Sequence, residues 1–308
     1  MDSWGKQRSF LIRSLSVFLK PYLLDGNDKF GNCMLQYVRK YRHRAQYLTG
    51  ILTLLLIGSV YLAMGPDFLA NPMGWALMIA AFLIANYASA RYGSYAATRH
   101  TQELLDIFDQ NCDPKTFLEE GCEIAEEVMA QLPIKEWGAS YLSDYCIALI
   151  DVGDHERATR YLGAIYKSAQ SAENPSTKYG LLINLYAPTR DLFGFDLSEE
   201  CLIAVENLRN ENEKVARLSG AQYLAWARQL HNAAKAGLHY ALIRLYEQVL
   251  NDDGQLMRIR VSAAYRIAAI YRELGDRYQE AVMLHYVIEH GNAMGCVINA
   301  QKYLARPL

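Results

Sequence analysis

Four glutamates, Glu119, Glu123, Glu126 and Glu127, fall along one helical face, with no Lys or Arg between Phe117 and Gln131. Paired carboxylates at such spacing can pass protons to and from a substrate. No nucleophile or companion base accompanies them, so the row reads first as a solvated face. Next it reads as a contact for a basic partner or for the chain's own juxtamembrane arginines. His285, Glu289 and His290 are clustered, and His231 and His239 flank a break at Gly237. A metal ion needs three or four converging donors, and neither set supplies them, so no metal and no cofactor is expected. Asn251-Asp252-Asp253-Gly254 opens like a calcium loop but lacks the alternating ligands and the closing glutamate, which makes it a turn. There is no H-E-x-x-H, no G-x-x-x-x-G-K-[ST], no G-x-S-x-G and no G-x-G-x-x-G behind a strand. The expectation is a protein that is not an enzyme.

Charge is distributed unevenly along the 308 residues, although the net charge is only -2. Residues 1–44 carry nine Lys and Arg against three Asp and Glu; residues 45–90 carry Asp67 alone; the remainder is acidic. The near-neutral balance argues against nucleic acid as a partner. Six cysteines lie far apart without a C-x-x-C pair, the pattern of reduced, buried thiols rather than of a secreted disulfide scaffold.

The uncharged middle holds two apolar runs separated by Gly65-Pro66-Asp67 and Asn71-Pro72. A bilayer core of about 30 Å takes roughly 20 helical residues, so the runs predict two transmembrane helices, 47–64 and 73–90. Arg39, Lys40, Arg42 and Arg44 precede the first, Arg91 and Arg99 follow the second, and the connection between them has no Lys or Arg. The positive-inside rule then places both termini in the cytoplasm of an integral plasma- or inner-membrane protein. The basic cluster from Arg39 to Arg44 would meet anionic lipid, and residues 9–24 have the pattern of an interfacial amphipathic segment. Ala81, Ala85 and Ser89 form a stripe of small side chains, and Asn86 is an amide inside the span. These four would serve packing within the hairpin or between subunits, leaving an oligomer open.

From residue 91 onward there is no sustained strand alternation, and the pattern has helical periodicity. Breaks recur at Asp113, Gly153, Gly194, Gly237 and Gly275, and two helical patterns lie in each interval. The fold class that follows is all-α: a two-helix transmembrane hairpin, then an α-solenoid of about five helical hairpins over 91–308, capped by a helix at 292–305. The paired patterns read 177–192 with 198–209, 213–234 with 238–250, and 256–274 with 277–290.

Two hairpins are more specific. In YLSDYCIALIDVGDHERATRYLGAI (141–165), Val152-Gly153-Asp154 forms the turn and Ala158 takes the small position of the second helix. AAYRIAAIYRELGDRYQEAVMLHYVI (263–288) repeats this with Ala268, Leu274-Gly275-Asp276 and Ala281, one turn residue longer. These segments resemble tetratricopeptide repeats, while the other hairpins share only the outline, and a different α-solenoid of similar pitch is the alternative. The resemblance implies a groove lined by the first helix of each hairpin, and so a peptide-binding set of Ser143, Ile147, Asp151, Asn184, His231, Tyr265, Arg272 and Glu273. The same residues also suit plain solvent-facing decoration. Two functions compete: a membrane-anchored adaptor offering its groove to a protein or peptide client, and a structural or transport-accessory subunit associating through its membrane hairpin.

Overall fold

The computed structural model describes residues 39–65 and 72–305. The expected amphipathic segment at 9–24, Cys33 and the turn at 66–71 lie outside the described residues. Among those described there are thirteen helices and no strand. In chain order they are α1 (Arg39–Met64), α2 (Pro72–Asp109), α3 (Pro114–Met129), α4 (Glu136–Asp151), α5 (His155–Ser171), α6 (Pro175–Phe193) and α7 (Phe195–Glu211). A single turn, α8 (Glu213–Ala216), leads to α9 (Ala221–Lys235), α10 (His239–Leu250), α11 (Met257–Glu273), α12 (Arg277–His290) and α13 (Gly295–Leu304). Two compact units divide the chain, Met1–Arg99 and His100–Leu308.

In the first unit, α2 is the described helix long and apolar enough to cross a membrane. The apolar stretch of α1, Gln46–Leu62, is shorter than that requirement. The second span was expected to stop at 90, but α2 continues to Asp109. Residues 91–109 contain no proline, and Ala96, Ala97, Gln102, Glu103, Leu104 and Leu105 favour helix. The helix stops only where Cys112 turns to a φ of 53°. Large side chains of this unit face outward, Leu62 at 85% exposure among them, while Ala81, Ala85 and Ser89 are buried. Asn86 is exposed.

The second unit is built from capped hairpins. Asp113 accepts from the Thr116 backbone N–H ahead of α3, with Pro114 in the first helical position. Asp154 and Asp276 do the same for α5 and α12. Directly before those two caps, Gly153 and Gly275 stand at φ of 85° and 77°, where a Cβ would be strained. Both turns close identically, with Asp154 N–H donating to Leu149 O and Asp276 N–H to Tyr271 O, a Schellman pattern. The interval expected as one helix over 213–234 is broken instead, because Gly220 at φ 106° starts α9 afresh after α8.

Neighbouring helices pack along the array: α4 on α3, α5 and α6; α6 on α7; α9 on α7 and α10; α11 on α10, α12 and α13. The first turns of the array hold an aromatic core in which Phe108 stacks on Phe117 at 5.5 Å and Phe117 meets Tyr145 edge-on at 5.8 Å. The tyrosines of this core find acceptors: Tyr141 donates to Gly121 O, Tyr145 to Leu118 O, and Tyr161 to Glu126. One carboxylate of the acidic α3 face therefore has a structural task.

The array also closes on itself. Arg258, at the start of α11, binds Asp109 at the end of α2 and Asp144 of α4. Asn292 donates to Asn111 O, Ala293 N–H to Cys112 O, and Gly295 N–H to Asp151 at 2.7 Å. The last hairpin and its cap thus return to the first, so the inner faces of the helices enclose a shared space.

Candidate functional site

That space is a groove of about 460 Å³, within the range of small-molecule and short-peptide sites. One wall comes from α4 (Glu136, Ser143, Asp144, Ile147) and another from α6 (Tyr179, Ile183, Asn184, Arg190, Asp191). Tyr223 and Trp226 of α9, with Arg258, Ile259 and Ser262 of α11, complete it.

The rim at 216–220 is held from behind. Arg209 donates to Ala216 O and Leu218 O, and also to the Tyr179 hydroxyl, which itself donates to Ser219 O at 2.8 Å. Gly180 lets the Glu136 side chain lie directly on α6, where a Cβ would meet its carboxyl carbon at 2.5 Å. Tyr223 stacks on Trp226, and the Trp226 indole donates to Leu245 O. Burial pushes the Tyr223 hydroxyl up to about 12, so it stays protonated and able to donate.

Charges in the groove come as two opposed triads. Arg258 sits between Asp109 and Asp144, and its guanidinium lies over the Phe108 ring. Asp191 sits between Arg190, at 2.8 Å, and Arg266, at 2.6 Å. The titration directions follow this arrangement. Burial, with the Asp109 charge adding to it, raises Asp144 to about 6 against the pull of Arg258. Burial also opposes ionisation of Asp191, yet Arg190 and Arg266 together outweigh it and hold that carboxyl below its ordinary value.

Of the residues expected from the sequence, Ser143, Ile147 and Asn184 line this groove, and Asn184 donates its amide to Gly180 O. The other five lie elsewhere. Asp151 accepts from Gly295 N–H where α13 meets the end of α4. His231 is buried beside Phe195, with Nε2 3.2 Å from Glu199. Tyr265 packs into the cluster that includes Tyr303, and Arg272 lies over the Tyr303 ring and pairs with Glu280. Glu273, at the end of α11, lies 3.5 Å from His239 at the start of α10. The capping helix α13 explains Tyr265 and Arg272, because it fills that end of α11.

Sequence reasoning missed Asp144, Tyr179, Arg190, Asp191, Tyr223, Trp226 and Arg258. Asp144 adjoins Ser143, so a one-residue rotation of the assigned face would have found it. Arg258 left no local signal, since its partners are 149 and 114 residues away.

The buried thiols are pushed away from the thiolate, with Cys112 raised to about 11 and Cys296 to about 12 by burial. No set of three or more His, Cys, Asp or Glu able to hold a metal ion occurs among the described residues. Asp252, in the calcium-like segment, accepts from Gly254 N–H and from Gln255, as a turn residue does. No protein-family model matches the chain, and no curated protein or solved structure matches it either.

Proposed function

We propose that this protein is a membrane-anchored adaptor whose helical-repeat body takes an extended peptide segment of a protein client into its inner groove. The observation that carries this reading is the groove's composition: two stacked aromatics, an amide and three serine hydroxyls line one open groove together with paired charges. Aromatic faces take apolar side chains and amides take main-chain groups, which is the chemistry an extended peptide needs. No catalytic role is proposed for any residue.

The finer architecture belongs to the same proposal. Hairpins 141–165 and 263–288 are read as tetratricopeptide-like, supported by the left-handed glycine turns and by the full burial of Ala158 and Ala268. On this reading α1 and α2 form a two-span hairpin, with both termini cytoplasmic and the basic cluster near 39–44 on anionic lipid. A second reading, association through the membrane segment, draws on Ala85 and Ser89, both fully buried in α2, and on the Ser89 hydroxyl, which has no hydrogen-bond partner among the described residues.

The test is site-specific photocrosslinking of the full chain in its native membrane, with the crosslinker at Ile183 in the groove, Tyr166 on exposed α5, or Ala81 on α2. A single adduct from position 183, mapping to one continuous client segment and lost with Tyr223→Ala, supports the adaptor. An adduct from position 81 alone would transfer the function to the membrane segment. Equal adducts from 183 and 166 would remove the groove from the account.

A further inference from the structure

Two carboxylates share one guanidinium at one side of the groove, and two guanidiniums share one carboxylate at the other. Taken as formal charges, Asp109–Arg258–Asp144 is an anionic triad and Arg190–Asp191–Arg266 a cationic one. Asp144, Arg258, Arg190 and Asp191 all face the same volume. Their side chains are only 10–24% exposed, so water screens the imbalance poorly. Ion pairs that cancel fully leave nothing for a ligand; these triads carry formal charges of opposite sign, and although Arg258 also acts on Asp191, each wall keeps one charge in excess. From the juxtaposition of these two triads we infer that the groove selects a dipolar ligand, a peptide segment carrying one basic and one acidic side chain. The basic group lies toward Asp144 and the acidic group toward Arg190.

Titration of Asp144 and Asp191 agrees with this assignment. Asp144 is raised, as expected of a buried carboxylate short of cations, and Asp191 is lowered, as expected of one with cations in excess. Glu136 adds a further negative charge to the α4 wall. The aromatic pair Tyr223 and Trp226 offers a surface for the residue between the two charges.

This inference rests on the peptide-groove reading, and the experiment separates the two. Four fluorescein-labelled, C-amidated heptapeptides share one apolar frame and carry, at positions 3 and 5, Lys/Glu, Lys/Gln, Gln/Glu or Gln/Gln. Each is titrated by anisotropy against the full chain in detergent micelles. The chain is used as wild type and with Asp144→Asn, Arg266→Gln or Tyr223→Ala. Asp144→Asn leaves the Asp109–Arg258 pair, and Arg266→Gln leaves the Arg190–Asp191 pair, so each triad becomes neutral without stranding a buried charge. Thermal melts confirm that the variants fold.

The expected result is that Lys/Glu binds at least tenfold tighter than Gln/Gln. Asp144→Asn should abolish the advantage of Lys alone, and Arg266→Gln the advantage of Glu alone. Equal binding of all four peptides, still lost with Tyr223→Ala, would overturn the dipole and leave the groove standing. Charge preferences that survive both neutralising variants would likewise overturn it. Binding of none of the four would remove both readings.

Discussion

The two units bury opposite kinds of residue. In α1 and the first part of α2, leucine, isoleucine, tryptophan and phenylalanine side chains face outward, and alanine and serine are buried. In the second unit the fully buried side chains are the largest, Tyr145, Tyr161, Tyr186, Phe108 and Phe117. Water drives large apolar groups together and so sets the second pattern. A hydrocarbon solvent has no such preference; there close approach of backbones decides, and small residues go inside. The inversion is the pattern expected if α2 crosses a membrane as proposed, and it rests on which residues are covered rather than on helix length.

The strongest way to break this comparison is to make one substitution in both units. Phe117→Ala removes a fully buried ring from the Phe108, Tyr141 and Tyr145 cluster and should cost about 3–5 kcal/mol. Phe82→Ala removes a ring that is 49% exposed and should stay within about 0.5 kcal/mol. Denaturation of the full chain in detergent, followed by region with hydrogen exchange, reads both. The mirrored substitution should reverse the ranking: Ala85→Leu overpacks a buried site for about 1–3 kcal/mol, and Ala76→Leu, at an exposed site, is neutral. Comparable losses at Phe82 and Phe117 would mean that the outward face of α2 is covered after all.

The parts of this architecture legible in the sequence are those written locally. Asp113-Pro114, Gly153-Asp154 and Gly275-Asp276 are cap and turn signals contained within a few residues, and each stands where it was expected. Gly220 was equally visible, yet the helical pattern on either side of it masked the break. Groove residues were legible only in part, because a face is fixed by its register. Ser143 and Ile147 are on the wall, but Asp151 on the same expected row is taken by Gly295. The Arg258 clasp and the covering of Arg272 by α13 depend on how the array closes, and no spacing in the chain encodes that closure.

The second prediction sharpens the comparison in the second unit. Asp151 lies at the closing contact, raised to about 6 by burial against the single hydrogen bond from Gly295 N–H. Its unfolded value is about 3.9, so the folded state holds the proton more tightly. Stability from that proton is present below about pH 4 and is lost as pH rises through 6; Asp144 acts in the same direction. Stability of the second unit should therefore rise as pH falls from 7.5 to 5, by about 1.4 kcal/mol from Asp151, roughly half of the gain that is complete only below pH 4. Asp151→Asn keeps the acceptor and removes the titration, so it should flatten the rise. A slope unchanged in that variant would assign the pH response to other groups.

A smaller effect is expected where the closing contact meets backbone. At Gly295 a Cβ would run into the Asp151 carbonyl, and a helix carbonyl moves less readily than a side chain. Gly295→Ala should cost about 1–3 kcal/mol and loosen exchange at α13 and the end of α4 together. Loosening confined to α13 would show that the array is held shut by Arg258 rather than by the cap.

The smallest expected change is a gain, and it returns to the two units. Gly163 in α5 and Gly58 in α1 both have open space where a Cβ would stand. In the second unit Gly163→Ala should stabilise by about 0.5–1 kcal/mol, since alanine reduces the freedom of the unfolded chain and nothing is displaced. If close packing in the first unit belongs to α2 and its alanines, Gly58→Ala should likewise cost nothing. A loss at Gly58 that Gly163 does not show would mean that α1 also uses its glycine for close approach, to a surface of another chain. That outcome would favour association through the membrane segment over the groove as the working part.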